Sequence, residues 1–200
     1  MPNFSNTSAP RDFSDLIPKG TVAPMHARIK RGGYGDHGLL TLASTEKGQS
    51  AYLHLEITIA DGSHKGRKFW TRLTVEGANH SAAIANSRDL LGSILRSGHN
   101  LSSTDVSPEA LRKLDNVSYE NFHGWHFIGK VGVERGKSKD DGSGEKRPDK
   151  NTLLSGVTKD MPGWPGPVEQ GPLPDGGASP SAPPFPPVPP APIARPPWAQ

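Results

Sequence analysis

Residues 51–75, AYLHLEITIADGSHKGRKFWTRLTV, contain two alternating runs on either side of a glycine-containing turn. Side chains on a strand alternate between its faces, so residues two apart share one. Leu53, Leu55, Ile57 and Ile59 therefore point one way, with Phe69, Leu73 and Val75 as their counterparts on the return run. The other face carries Tyr52, His54, Glu56 and Thr58, then Lys68, Trp70, Arg72 and Thr74. The first set is a core surface. The second mixes cations with flat rings, as a protein needs in order to hold a flexible polyanion with stackable bases.

The rest of the chain divides around this hairpin by composition. Of the 200 residues, 23 are glycine and 21 proline, and fifteen of those prolines fall in residues 161–200. Too few large apolar residues remain there to offset ordering entropy, so the segment reads as a disordered or polyproline-II tail. Residues 1–15 are polar and irregular, a flexible lead-in. Residues 16–160 are enough for one ordinary core. They hold 21 Lys/Arg against 16 Asp/Glu, a net of +5, while each flank contributes −1. This excess favours an anionic partner, although many soluble domains carry as much without one. The absence of cysteine excludes disulfides, thiolate zinc sites and cysteine nucleophiles. No secretory leader or membrane-spanning run is visible, so a soluble, cytoplasmic protein is expected.

Along the domain, Val22, Met25, Ala27 and Ile29 predict a first strand, with Pro24 arguing for an edge position or a bulge. RGGYGDHG, residues 31–38, is a glycine-rich loop, and LLTLAST after it reads equally as strand or loop. Ala83, Ile84, Leu91, Ile94 and Leu95 predict a helix over 79–97, with Gly98 as its stop. Ser107-Pro108-Glu109 opens a shorter helix to about Asp115. GWHFIGKVGVER (124–135) and NTLLSGVTKD (151–160) supply two further strands around a charged loop. The order predicts an OB-like, five-stranded antiparallel barrel, mainly β, with one long and one short helix inserted. A five-stranded open sheet with helices on one face is the alternative. The expected organisation is a flexible N-terminus (1–15), a nucleic-acid-binding domain (16–160) and a Pro-rich tail (161–200).

The hairpin cations Lys65, Arg67, Lys68 and Arg72 can neutralise phosphates, while Trp70 and Tyr52 offer stacking surfaces. An exposed tryptophan between cations needs a reason; the structural alternative is that Trp70 packs beneath a helix. Arg28, Lys30 and Arg31 lead into the glycine-rich loop with Tyr34, a segment able to close over a strand or simply to connect. The loop has neither Walker A nor GxGxxG spacing. His54 shares the Trp70 face, Trp125 is a further stacking candidate, and Lys130 adds a cation on the later strand. The His123/His126 pair fits no metal-ligand spacing, and no nucleophile elbow or paired-carboxylate motif stands out. No metal, cofactor or catalytic residue is expected. Phe185 and Trp198 in the tail are possible anchors for a partner groove.

The segment KGRKFWTRLTV after an apolar strand, then IANSRDLLGSILRSG, FHGWHFIGKVGVERG and KNTLLSGVTKD, resembles phage- and prophage-encoded single-stranded-DNA-binding proteins, a phage domain family of unknown function. The resemblance covers residues 16–160 and leaves both tails unmatched. It implies an OB-like fold, a role in phage replication or recombination, a bacterial host cytoplasm and no catalytic residues. Bacterial single-strand binders usually end in an acidic tip, whereas this chain ends RPPWAQ. Recruitment of a replication or recombination protein by the tail would therefore use apolar and polyproline contacts. The expected function is non-catalytic binding of single-stranded DNA, or of RNA, through Arg31, Tyr34, Tyr52, His54, Lys65, Arg67, Lys68, Trp70, Arg72 and Lys130. The alternatives are a scaffold that recruits partners through its tail, and an enzyme acting on nucleic acid, which would need a divalent-metal site. Oligomeric state is left open by the sequence.

Overall fold

The computed structural model describes residues 16–45, 48–115, 117–136 and 146–170. The expectations for residues 1–15, for the middle of the charged loop and for the tail beyond Gln170 lie outside the described residues. Six strands and two helices follow in the order β1 (Val22–Lys30), β2 (Leu40–Thr45), β3 (Gly48–Ile59), β4 (Lys68–Glu76), α1 (Ser81–Gly98), α2 (Pro108–Leu114), β5 (His126–Glu134) and β6 (Lys150–Gly156). The sixth strand, beyond the five expected, is LLTLAST: its Leu40–Thr45 part pairs with the first half of β3.

The 51–75 hairpin forms as its alternation requires. Leu53, Leu55, Ile57 and Ile59 are buried on β3, facing Phe69 and Leu73 on β4, and His54 lies opposite Arg72 in register. β3 is the hub. Its far edge takes β4, and its near edge takes β1 and then β2 end to end. β1 continues the sheet to β5, and β5 to β6. All pairings are antiparallel. β4 and β6 stand at opposite ends of this order yet pack against each other, so the sheet curls strongly. Among the described residues they share no ladder; the Thr71 and Thr152 hydroxyls, 3.4 Å apart, join them. The sheet is thus open. Arg67 and Arg72 on one side of the gap, and Arg147, Asp149 and Lys150 on the other, line the cleft between the two strands.

Pro24 sits in an interior strand, between β3 and β5, rather than at an edge. A strand residue's N and O point to one side, and the Pro24 carbonyl accepts from Ala60 N at 2.8 Å, just past the last β1–β3 pair. The missing N–H therefore forfeits a bond at the ladder's end and none inside it.

α1 covers the inner side of β4, β5 and β6, with Leu91, Ile94 and Leu95 in the same core as Phe69, Phe127, Val131 and Leu153. It comes close to β6: Gly156 N donates to Ser93 Oγ at 2.8 Å, and a Cβ on Gly156 would collide with the Ser93 carbonyl. α1 ends at Gly98, where the sequence places its stop. The left-handed turn belongs to Asn100 (φ 56°), where Leu101 N reaches back to Arg96 O at 2.9 Å. Gly98 is small because Trp125 lies against it. Trp125 is half-buried against the core with its ring edge-on to His99, which removes it from the stacking candidates. α2 starts as expected, with Ser107 Oγ accepting from Ala110 N at 3.3 Å and Pro108 in the first turn.

Residues 161–170, assigned by composition to the tail, are fastened to the domain. Asn100 pairs with both backbone groups of Val168, and Gln170 bonds both backbone groups of His126 and the Gly98 carbonyl. At the other end, buried Asn151 holds the Ile17 backbone through Ile17 N and O, which seats Ile17 in the core.

Candidate nucleic-acid interface

The outer faces of β1, β3 and β4 form one surface whose side chains are set by register. Strands lie about 4.8 Å apart, so three cross-strand rows stand side by side. Lys30, His54 and Arg72 make the first row; Arg28, Glu56 and Trp70 the second; His26, Thr58 and Lys68 the third. Trp70 is 57% exposed, and Lys68 and Arg72 on either side of it are exposed as well. The reading that packs Trp70 beneath a helix is overturned: α1 lies on the inner side, against Phe69 and Leu73.

Charge on this surface is mostly uncompensated. Lys68 Nζ meets Glu56 Oε1 at 2.8 Å, the only carboxylate in the three rows. The Arg72 guanidinium rests over the Tyr52 ring, 4.6 Å from its centroid, and Tyr52 stacks on His54 at 5.3 Å. Tyr52 is thus covered by Arg72 and holds that cation in place. Burial, then the Arg72 and Lys30 charges, lowers the His54 pKa, and its Nε2 is buried with no partner in the structure. His26 stacks on His126 at 5.6 Å, and its pKa is lowered by burial, then by His126 and Lys68. Both rings are thereby biased to the neutral form until a nearby anion favours the proton.

Three depressions cross the surface and share residues. An open one lies among Arg28, Lys30, Glu56 and Trp70. Past Trp70, a cleft of about 510 Å³ runs between β4 and β6, lined by His54, Arg67, Lys68, Arg72, Arg147 and Lys150 among others. On the other side, beyond Arg28 and Glu56, a pocket of about 160 Å³ is walled by His26, Thr58, Lys68, His123 and Gly124. Together they make one groove across the strands with Trp70 at its middle.

Of the ten residues singled out by sequence, the structure brings His54, Arg67, Lys68, Trp70 and Arg72 into this groove, with Tyr52 beneath Arg72. Lys65 lies in the exposed hairpin turn and lines none of the three depressions. Arg31 sits past the end of β1, 3.9 Å from Glu120, and Tyr34, 40% exposed, is bridged to Leu40 in the glycine-rich loop. Lys130 lies on β5 opposite Val22 and Ser155, away from the groove. Sequence reading missed His26, Arg28 and Lys30 as members of the face. Their alternation with Met25, Ala27 and Ile29 carries the signal, although Arg28 and Lys30 also run straight into the glycine-rich loop. Arg147 and Lys150 had no periodic signal at all.

Among the described residues no three His, Asp or Glu side chains gather in a way that could hold a metal ion, and no helix is long and apolar enough to cross a membrane. No protein-family model matches the chain, and no curated protein matches it in sequence.

Proposed function

We propose that this chain is a non-catalytic single-stranded-DNA-binding protein. The observation that carries the proposal is Trp70, which stands exposed at the centre of a groove lined by Arg28, Lys30, Lys68 and Arg72. Phosphates of a single strand would follow the cations while a base stacks on the indole, a combination tolerant of sequence. The pairing order supports an OB-type reading: β1, β3, β4, β5 and β6 follow one another as the five strands of that partly open barrel, α1 joins the third to the fourth, and β2 is an addition to the first connection. In such folds the face of the second and third strands holds the oligonucleotide, and here those are β3 and β4. The resemblance of residues 16–160 to phage-encoded single-strand binders supports a setting in phage replication or recombination, in the cytoplasm of a bacterial host.

Fluorescence polarisation with labelled oligo(dT) at two salt concentrations tests the proposal. If four phosphates are neutralised, affinity should fall about 50-fold between 50 and 200 mM salt. Trp70→Ala should weaken binding by about 1–3 kcal/mol. No binding at the lower salt overturns the proposal. Binding that is tight but indifferent to Trp70→Ala removes the stacking role.

A further inference from the structure

The pocket at the β1 end of the groove is less open than the stretch around Trp70. It is small, about 160 Å³, and one side is walled off. Gly124 N donates to Ala27 O at 2.8 Å and Ala27 N to Trp125 O at 2.9 Å, so the 123–125 segment is stitched along β1. On the side away from Trp70 the pocket is bounded by His123 and Gly124.

The wall residues are chiefly donors. His123 Nδ1 accepts from Ile29 N at 3.3 Å, so the neutral ring carries its proton on Nε2. Arg28 contributes a guanidinium, and among the described residues it has no ion-pair partner within 4.0 Å. Lys68, His26 and the Thr58 hydroxyl complete the set. The single carboxylate, Glu56, is already engaged by Lys68 at 2.8 Å. Such a pocket suits an anion better than a base edge, which needs acceptors as well as donors. A phosphodiester within a strand continues through two ester oxygens and needs an exit on both sides. A terminal phosphate monoester needs one, and carries extra charge with three free oxygens.

Resting on the single-strand reading above, we propose that this pocket takes the terminal phosphate of a single strand, with Arg28 and His123 Nε2 as its principal donors. The protein would then hold phosphorylated strand ends in preference to hydroxyl ends.

The test uses the full chain with three internally labelled oligo(dT) strands of one length: both ends hydroxyl, 5′-phosphate, or 3′-phosphate. One of the phosphorylated strands should bind about tenfold more tightly than the hydroxyl strand, and which one reports the polarity of the strand in the groove. Arg28→Ala should abolish that advantage, whereas Lys65→Ala in the hairpin turn should keep it; circular dichroism checks that both variants fold. Equal affinity for the three strands overturns this inference and leaves the single-strand reading standing. An advantage that survives Arg28→Ala also overturns it. Failure to bind any of the three overturns both.

Discussion

β4 and β5 are nine-residue strands of one sheet with opposite patterns of burial. From Lys68 to Leu73, β4 alternates strictly between exposed and buried, whereas β5 is buried without a break from Phe127 to Gly129 and again at Val131 and Gly132. The difference lies in what covers the second face and the edge. β4 has α1 behind it and the open groove in front. On β5, Ser97 Oγ of α1 bonds both Ile128 N and Ile128 O, Val157 N bonds Ile128 O, and Gln170 clasps His126. Period-two patterning therefore marks the strands that keep one face free, and in this chain those strands carry the candidate interface.

The strongest way to break the comparison is to cut into β4 at two adjacent positions. Phe69 is 3% exposed and Trp70 57%. Phe69→Ala should cost about 3–5 kcal/mol of stability, read from urea unfolding. Trp70→Ala should cost less than about 0.5 kcal/mol, although it removes the larger side chain. A comparable loss from both would mean that Trp70 is covered by the fold after all.

The same contrast explains how far the molecule was legible. Leu53 to Ile59 and Lys68 to Val75 could be sorted into faces because each face has one environment, and the register then placed Trp70 between Lys68 and Arg72. α1 was legible from its apolar spacing and α2 from its Ser-Pro start. β2 was not, since LTLAST is short, uncharged and ambiguous by itself; it becomes a strand because β3 is long enough to pair with β1 and then continue. Openness of the sheet was also hidden, because it depends on how β4 and β6 meet, a contact between residues about eighty positions apart. For the interface, the residues on β3 and β4 were readable and those on β1 were half-readable. Arg147, just ahead of β6, and Lys150, its first residue, reach the cleft because β6 packs against β4, a tertiary contact that no local pattern encodes.

A smaller effect is expected on the covered strand. Ser97→Ala removes the partner of the Ile128 amide, while the Ile128 carbonyl keeps Val157 N at 2.8 Å. One buried amide is then orphaned, at a cost of about 1–3 kcal/mol. Urea unfolding should show that loss, and oligonucleotide affinity should stay within a factor of two, because Ser97 lies on the far side of the sheet from Trp70. If affinity fell in step with stability, the covered and open regions would be one functional unit.

The smallest expected effect gives the two properties opposite slopes against pH. His26, His54 and His123 around the groove, and His99 against Trp125, have pKa values lowered chiefly by burial. The unfolded chain therefore binds protons first as pH falls. Their contribution to stability is complete above the ordinary histidine range and drains away as pH drops through that range toward the lowered folded values. The urea midpoint should be lower at about pH 5 than at about pH 7.5. Oligonucleotide affinity should move the other way. His26 and His54 face the groove beside Lys68, Arg72 and Lys30, with Glu56 and Asp149 as the opposing charges among the described residues that line it, so each proton gained adds attraction for phosphate. Protonated rings that destabilise the free protein are stabilised once a polyanion lies over them. A parallel decline of both curves would mean that these histidines do not meet the strand.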